Sequence, residues 1–459
     1  MKKIYIAFLA LCAALPGKAQ DTVYLTLDQA LQTALSENAS VRIADLEIER
    51  TGYARKGTYA ALFPQIDGSG SYQRTIKKQR MYMDFAIGGA SGGSGSNEGS
   101  GGMSTDGIEV GRWNTWSTGI SASMPLVNAQ LWKSLQISDQ DVEMAVEKAR
   151  ASRLETVTQV KKAFFTVLLA KEALNVYQSV YENARENLEL TQKKYNAQRA
   201  SELDLTRAKT TLANAVPNMY DAANAVELGL WQLKAVMGVD LNADIDVAGT
   251  LMDYAGQMEE APASDGDLSG NSSLRQLAIQ AEQLSNTIKM QQYAYLPSLN
   301  LGFNYSINAM ANDYNFSQYK WSPYSYVGLS LSIPIFSGGK RLNAVRQARV
   351  QAAELDIQRT NTERQLQIAI RQYLGTMDTA TRSYASAASA VETATKAYDI
   401  ARQSYDVGRS TLTDLNDAQL ALTQSELGVC QAIFSYLSAK SDLEGTLGAD
   451  FIDNSNTNE

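Results

Sequence analysis

The chain has 459 residues, 41 Lys and Arg against 49 Asp and Glu for a formal charge of −8, two cysteines and no histidine. Without histidine there is no commonest general base, no commonest zinc ligand and no Ser-His or Cys-His pair, so enzymatic chemistry, cofactors and metals are not expected. An acidic chain lacking a basic stripe is also a poor nucleic-acid binder.

Lys2 and Lys3 precede an apolar run from Ile4 to Leu15, and Gly17-Lys18-Ala19 supplies small residues for a signal peptidase, so residues 1–19 read as an export signal. Leu9-Ala10-Leu11-Cys12 loosely resembles a lipoprotein box, although Leu11 is bulky and the apolar run continues past Cys12; lipidation stays an alternative to cleavage near Ala19. Cleavage there leaves Cys430 as the single thiol and excludes an intramolecular disulfide. No later stretch approaches the roughly 18 apolar residues of a spanning helix.

Residues 20–238 form a first repeat: short helices, then a strand hairpin at about 65–124. Ile66, Gly68, Gly70 and Tyr72 alternate weakly with their neighbours. Thr118, Ile120, Ala122, Met124 and Leu126 alternate clearly with Ser117, Gly119, Ser121, Ser123 and Pro125. Between them Gly88 to Gly107, rich in Gly and Ser, cannot form a core and reads as a mobile surface loop. A helix follows at about 127–198, on the order of 108 Å if unbroken, then a return helix at about 202–237 in which Pro217 is expected to cause a kink.

Residues 239–270 are an acidic connector without sustained period, whose Glu259, Glu260, Asp265 and Asp267 read as a solvated loop rather than a metal cluster. The second repeat spans 271–448, with strands at about 298–308 and 324–334, a long helix at about 340–407 and a return helix at about 411–447; 449–459 is expected to be a disordered tail. The helical stripes of the repeats match at an offset of 210 residues: Val160, Val167, Leu174, Tyr181 and Tyr195 answer to Ile370, Met377, Tyr384, Val391 and Tyr405. Two long helical hairpins from one duplicated unit follow.

In the second repeat Leu299, Leu301, Phe303, Tyr305 and Ile307 alternate with small or polar residues, as do Val327, Leu329, Leu331, Ile333 and Ile335. Four such strands match the length and dyad pattern of a membrane barrel, with Trp113, Trp116, Trp321, Tyr324 and Tyr326 placed as an interfacial girdle. A soluble half-buried sheet shows the same alternation and stays open as the alternative. Four strands cannot close a barrel, and open edges are not tolerated in lipid, so a membrane location requires several chains to share one barrel.

These features resemble the TolC family of outer-membrane efflux proteins across essentially the whole mature chain. The carriers are the doubled order of elements, the paired prolines (Pro64 with Pro297, Pro125 with Pro334) and the tip motif Tyr405-Asp406-Val407-Gly408-Arg409-Ser410-Thr411-Leu412-Thr413-Asp414 with Asp417. The resemblance implies a mainly α fold with a β-barrel portion: a homotrimer in outer-membrane lipid, twelve shared strands, and a periplasmic helical tunnel. It also implies a periplasmic adaptor (membrane fusion) protein and an inner-membrane transporter of RND type as partners, serving efflux of small molecules. The alternatives are a type I protein-secretion duct or a non-channel coiled-coil scaffold. By motif position the gate falls on Asp414 and Asp417, with Tyr405, Arg409 and Asp204 nearby. The adaptor-docking tips fall on Tyr195, Arg199, Ser201, Gly408, Ser410, Thr411 and Leu412. The first tip departs from the motif, with Gln198 for the glycine and Arg207 for the second aspartate. Thr411-x-x-Asp414 and Ser201-x-x-Asp204 are also capping boxes, so Asp414 can be explained by helix capping alone, whereas Asp417 is not needed for the box and lies on the same face.

Overall fold

The computed structural model describes residues 23–81, 108–258 and 267–448. The expected leader with Cys12, the Gly88 to Gly107 stretch, Glu259, Glu260, Asp265 and the 449–459 tail lie outside the described residues. The chain divides into two compact units, one of residues 1–51, 141–282 and 352–459, the other of residues 52–140 and 283–351.

The second of these units holds the sheet: β2 (Gln65–Arg74), β5 (Asn114–Val127), β7 (Ser298–Ala311) and β8 (Ser322–Ser332), antiparallel in that order. A short pair, β3 (Gln79–Met81) with β4 (Ile108–Val110), extends the first hairpin. The alternation read from the sequence is in register across the ladder: Ile66, Ala122, Phe303 and Val327 are mutual partners, and so are Met124, Leu301 and Leu329. Directly opposed residues share a face, so one side of the sheet is apolar. That side is bare: Ile66 is 70% exposed, Val327 71% and Leu329 66%. A half-buried soluble sheet would cover these side chains, each worth roughly 1.5–3 kcal/mol when removed from water, and the described chain supplies no layer that does.

Gly119 sits where a Cβ would stand 2.6 Å from the Tyr305 carbonyl oxygen, so the β5–β7 approach requires glycine there. Near Pro125, which has no N–H to give, the β5–β7 register shifts between Pro125 and Val127. The girdle expectation needs one correction. Trp116 lies on the apolar face, stacked on Tyr72 at 4.2 Å, but Tyr324 and Tyr326 pair with Ser306 and Asn304 on the polar face. The period of two that places Val327 outward places both tyrosines on the opposite side.

In the other unit, α1 (Leu27–Glu37) and the first part of α2 (Ala39–Ala60) join segments of four long helices: α3 (Ala129–Asn196), α4 (Glu202–Met237), α6 (Lys340–Asp406) and α7 (Leu412–Leu447); α5 (Ser272–Tyr293) opens the second repeat. The long stripe is the core: Val160 and Val167 are fully buried, with Ile370, Met377 and Ala380 at 3–6% exposure. Phe164 and Leu168 are equally buried although off the stripe, because α3 is covered there on a second side. The connector supplies part of the cover on α3, with Tyr254 edge-on to Phe165 at 5.2 Å. Instead of a plain solvated linker, β6 (Ile245–Val247) pairs in parallel with β1 (Val23–Leu25), and a 3-10 helix (Leu251–Met258) inserts Leu251, 0% exposed, into the core. Its apolar residues are too few and too irregularly spaced to show a period. Gly229 lies against Val167, and Lys161 pairs with Glu444, and Lys162 with Asp442, both at 2.9 Å. Helix α4 continues through Pro217. Among the described residues no helix is long and apolar enough to cross a membrane, and no cluster of His, Cys, Asp and Glu could hold a metal.

Candidate gate at the helical hairpin tips

Both hairpins turn by the same local device. In the second, α6 ends at Asp406, Gly408 takes φ +79°, and the Arg409 amide donates to the Ser404 carbonyl at 2.8 Å. In the first, α3 ends at Asn196, Gln198 takes φ +57°, and the Arg199 amide donates to the Lys194 carbonyl at 2.8 Å. This is the left-handed helix stop that glycine favours. Gln198 is the one non-glycine residue with positive φ among the described residues. The first tip therefore keeps the geometry of the motif while lacking its glycine.

The next helix opens on a capping box at both tips. Thr411 Oγ1 accepts from the Asp414 amide at 3.1 Å, while Asp414 Oδ2 accepts from the Thr411 amide at 2.9 Å, the Thr411 hydroxyl at 2.7 Å and the Ser410 hydroxyl at 2.9 Å. Thr411, by side chain and backbone, and then Ser410 hold the Asp414 carboxyl below the usual carboxylate range. At the first tip the Asp204 carboxylate accepts from the Ser201 hydroxyl at 2.7 Å and the Ser201 amide at 3.3 Å. One oxygen of each carboxylate is thus committed to its own chain.

The remaining expected residues separate into a buried and an exposed set. Tyr405, 6% exposed, packs with Ala208, Tyr398, Leu412 and Leu415. Its hydroxyl shares a hydrogen bond with Thr191 Oγ1 at 2.6 Å, and Lys194 lies 3.9 Å over its ring and donates to its carbonyl. Burial pushes the Tyr405 phenol up and the Lys194 ammonium down. Tyr405 was expected beside the acidic gate; within the chain it instead locks α6 to α3. Leu412, expected to dock an adaptor, is 2% exposed and fills the same small core, so it is not offered to a partner. Arg409, Asp417, Arg199, Ser201 and Tyr195 are exposed. Arg409 and Asp417 have no side-chain hydrogen bond or ion pair among the described residues, so the expected clasp of Arg409 on a carboxylate is not formed within one chain. Arg207, standing where the second aspartate would be, reaches Thr413 Oγ1 at 3.4 Å and ties α4 to the second tip.

Sequence reasoning missed Thr191 and Lys194 as tip residues. Thr191 was legible only as a stripe member, and its polarity, matched to Tyr405 across 214 positions, was the signal.

The family model for outer membrane efflux proteins matches residues 30–239 and 266–449. The chain is 23% identical over 338 residues to the outer membrane protein TolC of Vibrio cholerae, covering 72% of this chain and 76% of that one. It is 25% identical over 258 residues, about half of each chain, to the alkaline protease secretion protein AprF of Pseudomonas aeruginosa. The outer membrane channel CmeC of Campylobacter jejuni superposes with a TM-score of 0.71 at 19% identity, covering 95% of this chain and 90% of that one. The likeness bears out the resemblance and the fold class read from the residues, and homology carries with it a trimer that works with other components of an efflux pump. The two matched stretches coincide with the two repeats, and together with the bare apolar sheet and the paired helical tips they settle the identity: the chain belongs to the outer membrane efflux protein family, a TolC-type channel of the Gram-negative outer membrane and not an enzyme.

Proposed function

We propose that three copies of this chain close one twelve-stranded barrel and continue it as a helical duct, which carries small molecules outward from a tripartite pump of RND type through a periplasmic adaptor. The observation that supports this reading most strongly is the four-stranded sheet with an apolar exposed face and two open edges, β2 and β8. In lipid those edges must pair, and three copies supply the strands a closed barrel needs. In the duct, the tips meet around the threefold axis at its periplasmic end. Asp414 serves first as a cap, while Asp417, unpartnered and exposed on the same helix face, supplies the ring of three carboxylates that narrows the entrance to cations. Tyr195, Arg199, Ser201 and Ser410 remain on the surface for adaptor docking; Thr411 and Gly408 shape it.

Native mass measurement of detergent-extracted protein, followed by planar-bilayer conductance, tests this. Three chains per particle and a small cation-preferring conductance are expected; a detergent-free soluble monomer without conductance overturns it. A second reading, a protein-secretion duct, is favoured by the similarity to AprF. Copurification with an adaptor of an ABC-type rather than an RND-type transporter would decide for it.

A further inference from the structure

The helical unit carries an open, groove-like cavity of ≈460 Å³ that the channel reading does not use. It lies among α3, α6 and α7, with Glu172, Val176, Tyr384, Glu426 and Cys430 in its wall and Met252 of the 3-10 helix at its side. The lining is mostly apolar, yet two carboxylates enter it without a cation. The Asn175 amide lies 3.4 Å from Glu172, and Glu426 has no hydrogen bond or ion pair among the described residues. Both acids are partly withdrawn from solvent. Burial pushes the Glu426 carboxyl up; the Cys430 thiol, 8% exposed, is pushed up to about 11 by burial first and then by the charges of Glu172 and Glu426. The two negative charges therefore converge on the Cys430 wall of one open, mostly apolar groove.

The duplication shows that the fold does not need them. At the offset of 210 residues, Glu172 answers to Arg382, Glu426 to Val216 and Cys430 to Tyr220, and the sister helices form with neither acid. An uncompensated carboxylate in an apolar wall is destabilising. A ligand that brings a positive charge and an apolar body reverses that cost, and an aromatic face such as Tyr384 adds attraction for a cation.

We propose that this cavity binds a lipophilic monovalent cation, a quaternary ammonium or phosphonium ion, with its charge held between Glu172 and Glu426 and its apolar body against Val176, Met252 and Tyr384. The site belongs to the helical unit alone and does not depend on which pump the channel serves.

Calorimetric titration of the detergent-solubilised assembly with tetraphenylphosphonium tests it, with triphenylphosphine oxide as the uncharged comparison. Saturable binding at one cation per chain is expected, at least 10-fold tighter than the neutral compound. Glu426→Gln should weaken it about 10-fold, Glu172→Gln with Glu426→Gln should abolish it, and Val176→Trp, which fills the space without touching the charges, should also abolish it. Native mass confirms that each variant keeps its assembly. The proposal is overturned by absence of saturable binding to the unaltered protein, by equal binding of the neutral compound, or by binding that survives Val176→Trp or the double carboxylate change. It is equally overturned if the unaltered assembly binds nothing and the double change splits it, since a basic side chain of a second copy then fills the cavity.

Discussion

The two hairpin tips share a backbone and differ in chemistry. Each stops its long helix with one left-handed residue and starts its return helix with a capping box, yet the second tip uses Gly408, Asp414 and Asp417 where the first uses Gln198, Asp204 and Arg207. Backbone geometry is thus held in both copies, while acidity in the third position is held in one. A turn can tolerate a strained residue at modest cost, but a ring of charge depends on the identity of each side chain in it. On the proposed reading the gate lies at the second tip and the first is its scaffold, tied in through Arg207 to Thr413.

The largest expected break in this comparison is at the two tyrosines. Tyr405→Ala removes a buried ring and the Thr191 bond, and should destabilise the tip by about 3 kcal/mol. Tyr195→Ala, at its 38%-exposed counterpart, should stay within about 0.5 kcal/mol. Hydrogen exchange of the N-terminal amides of α7 reads the first change, and that of α4 the second.

Exchanging the left-handed residues comes next. Gly408→Gln should cost about 1 kcal/mol and Gln198→Gly should gain up to about 1 kcal/mol, because only glycine adopts positive φ without strain. Effects of the same sign at both positions would mean that the tips do not share one turn.

The caps should differ least: Thr411→Ala and Ser201→Ala should each cost roughly 1 kcal/mol. Their pH response follows from Asp414, whose folded pKa is depressed. Its contribution is complete above the unfolded carboxylate value of about 3.9 and is lost as pH falls through the lower folded value. Exchange at the second tip should therefore accelerate only in acid, and Asp414→Asn should remove that acid limb.

Much of this was legible from the residues because periodic burial writes itself into a sequence. The paired stripes, Val160 to Tyr195 and Ile370 to Tyr405, and the Thr411-x-x-Asp414 box follow from repeating geometry. Aromatic clustering near the strand ends suggests a girdle that includes Tyr324 and Tyr326, but clustering carries no facing, and the strict alternation that includes Val327 sets both on the opposite side. The 3-10 helix around Leu251 carried too few apolar residues for any period, and the inward role of Tyr405 depended on Thr191 and Lys194, 214 and 211 positions away. Such contacts belong to the packing of α6 on α3 and leave no local mark.

The most direct test is single-channel current through Asp414→Ala and Asp417→Ala taken separately, with a trivalent cation added from the periplasmic side. Asp417→Ala should lose the block and the cation preference while Asp414→Ala keeps the block on a less stable tip. Block that survives Asp417→Ala, or that vanishes with Asp414→Ala alone, would contradict the assignment of the gate to Asp417.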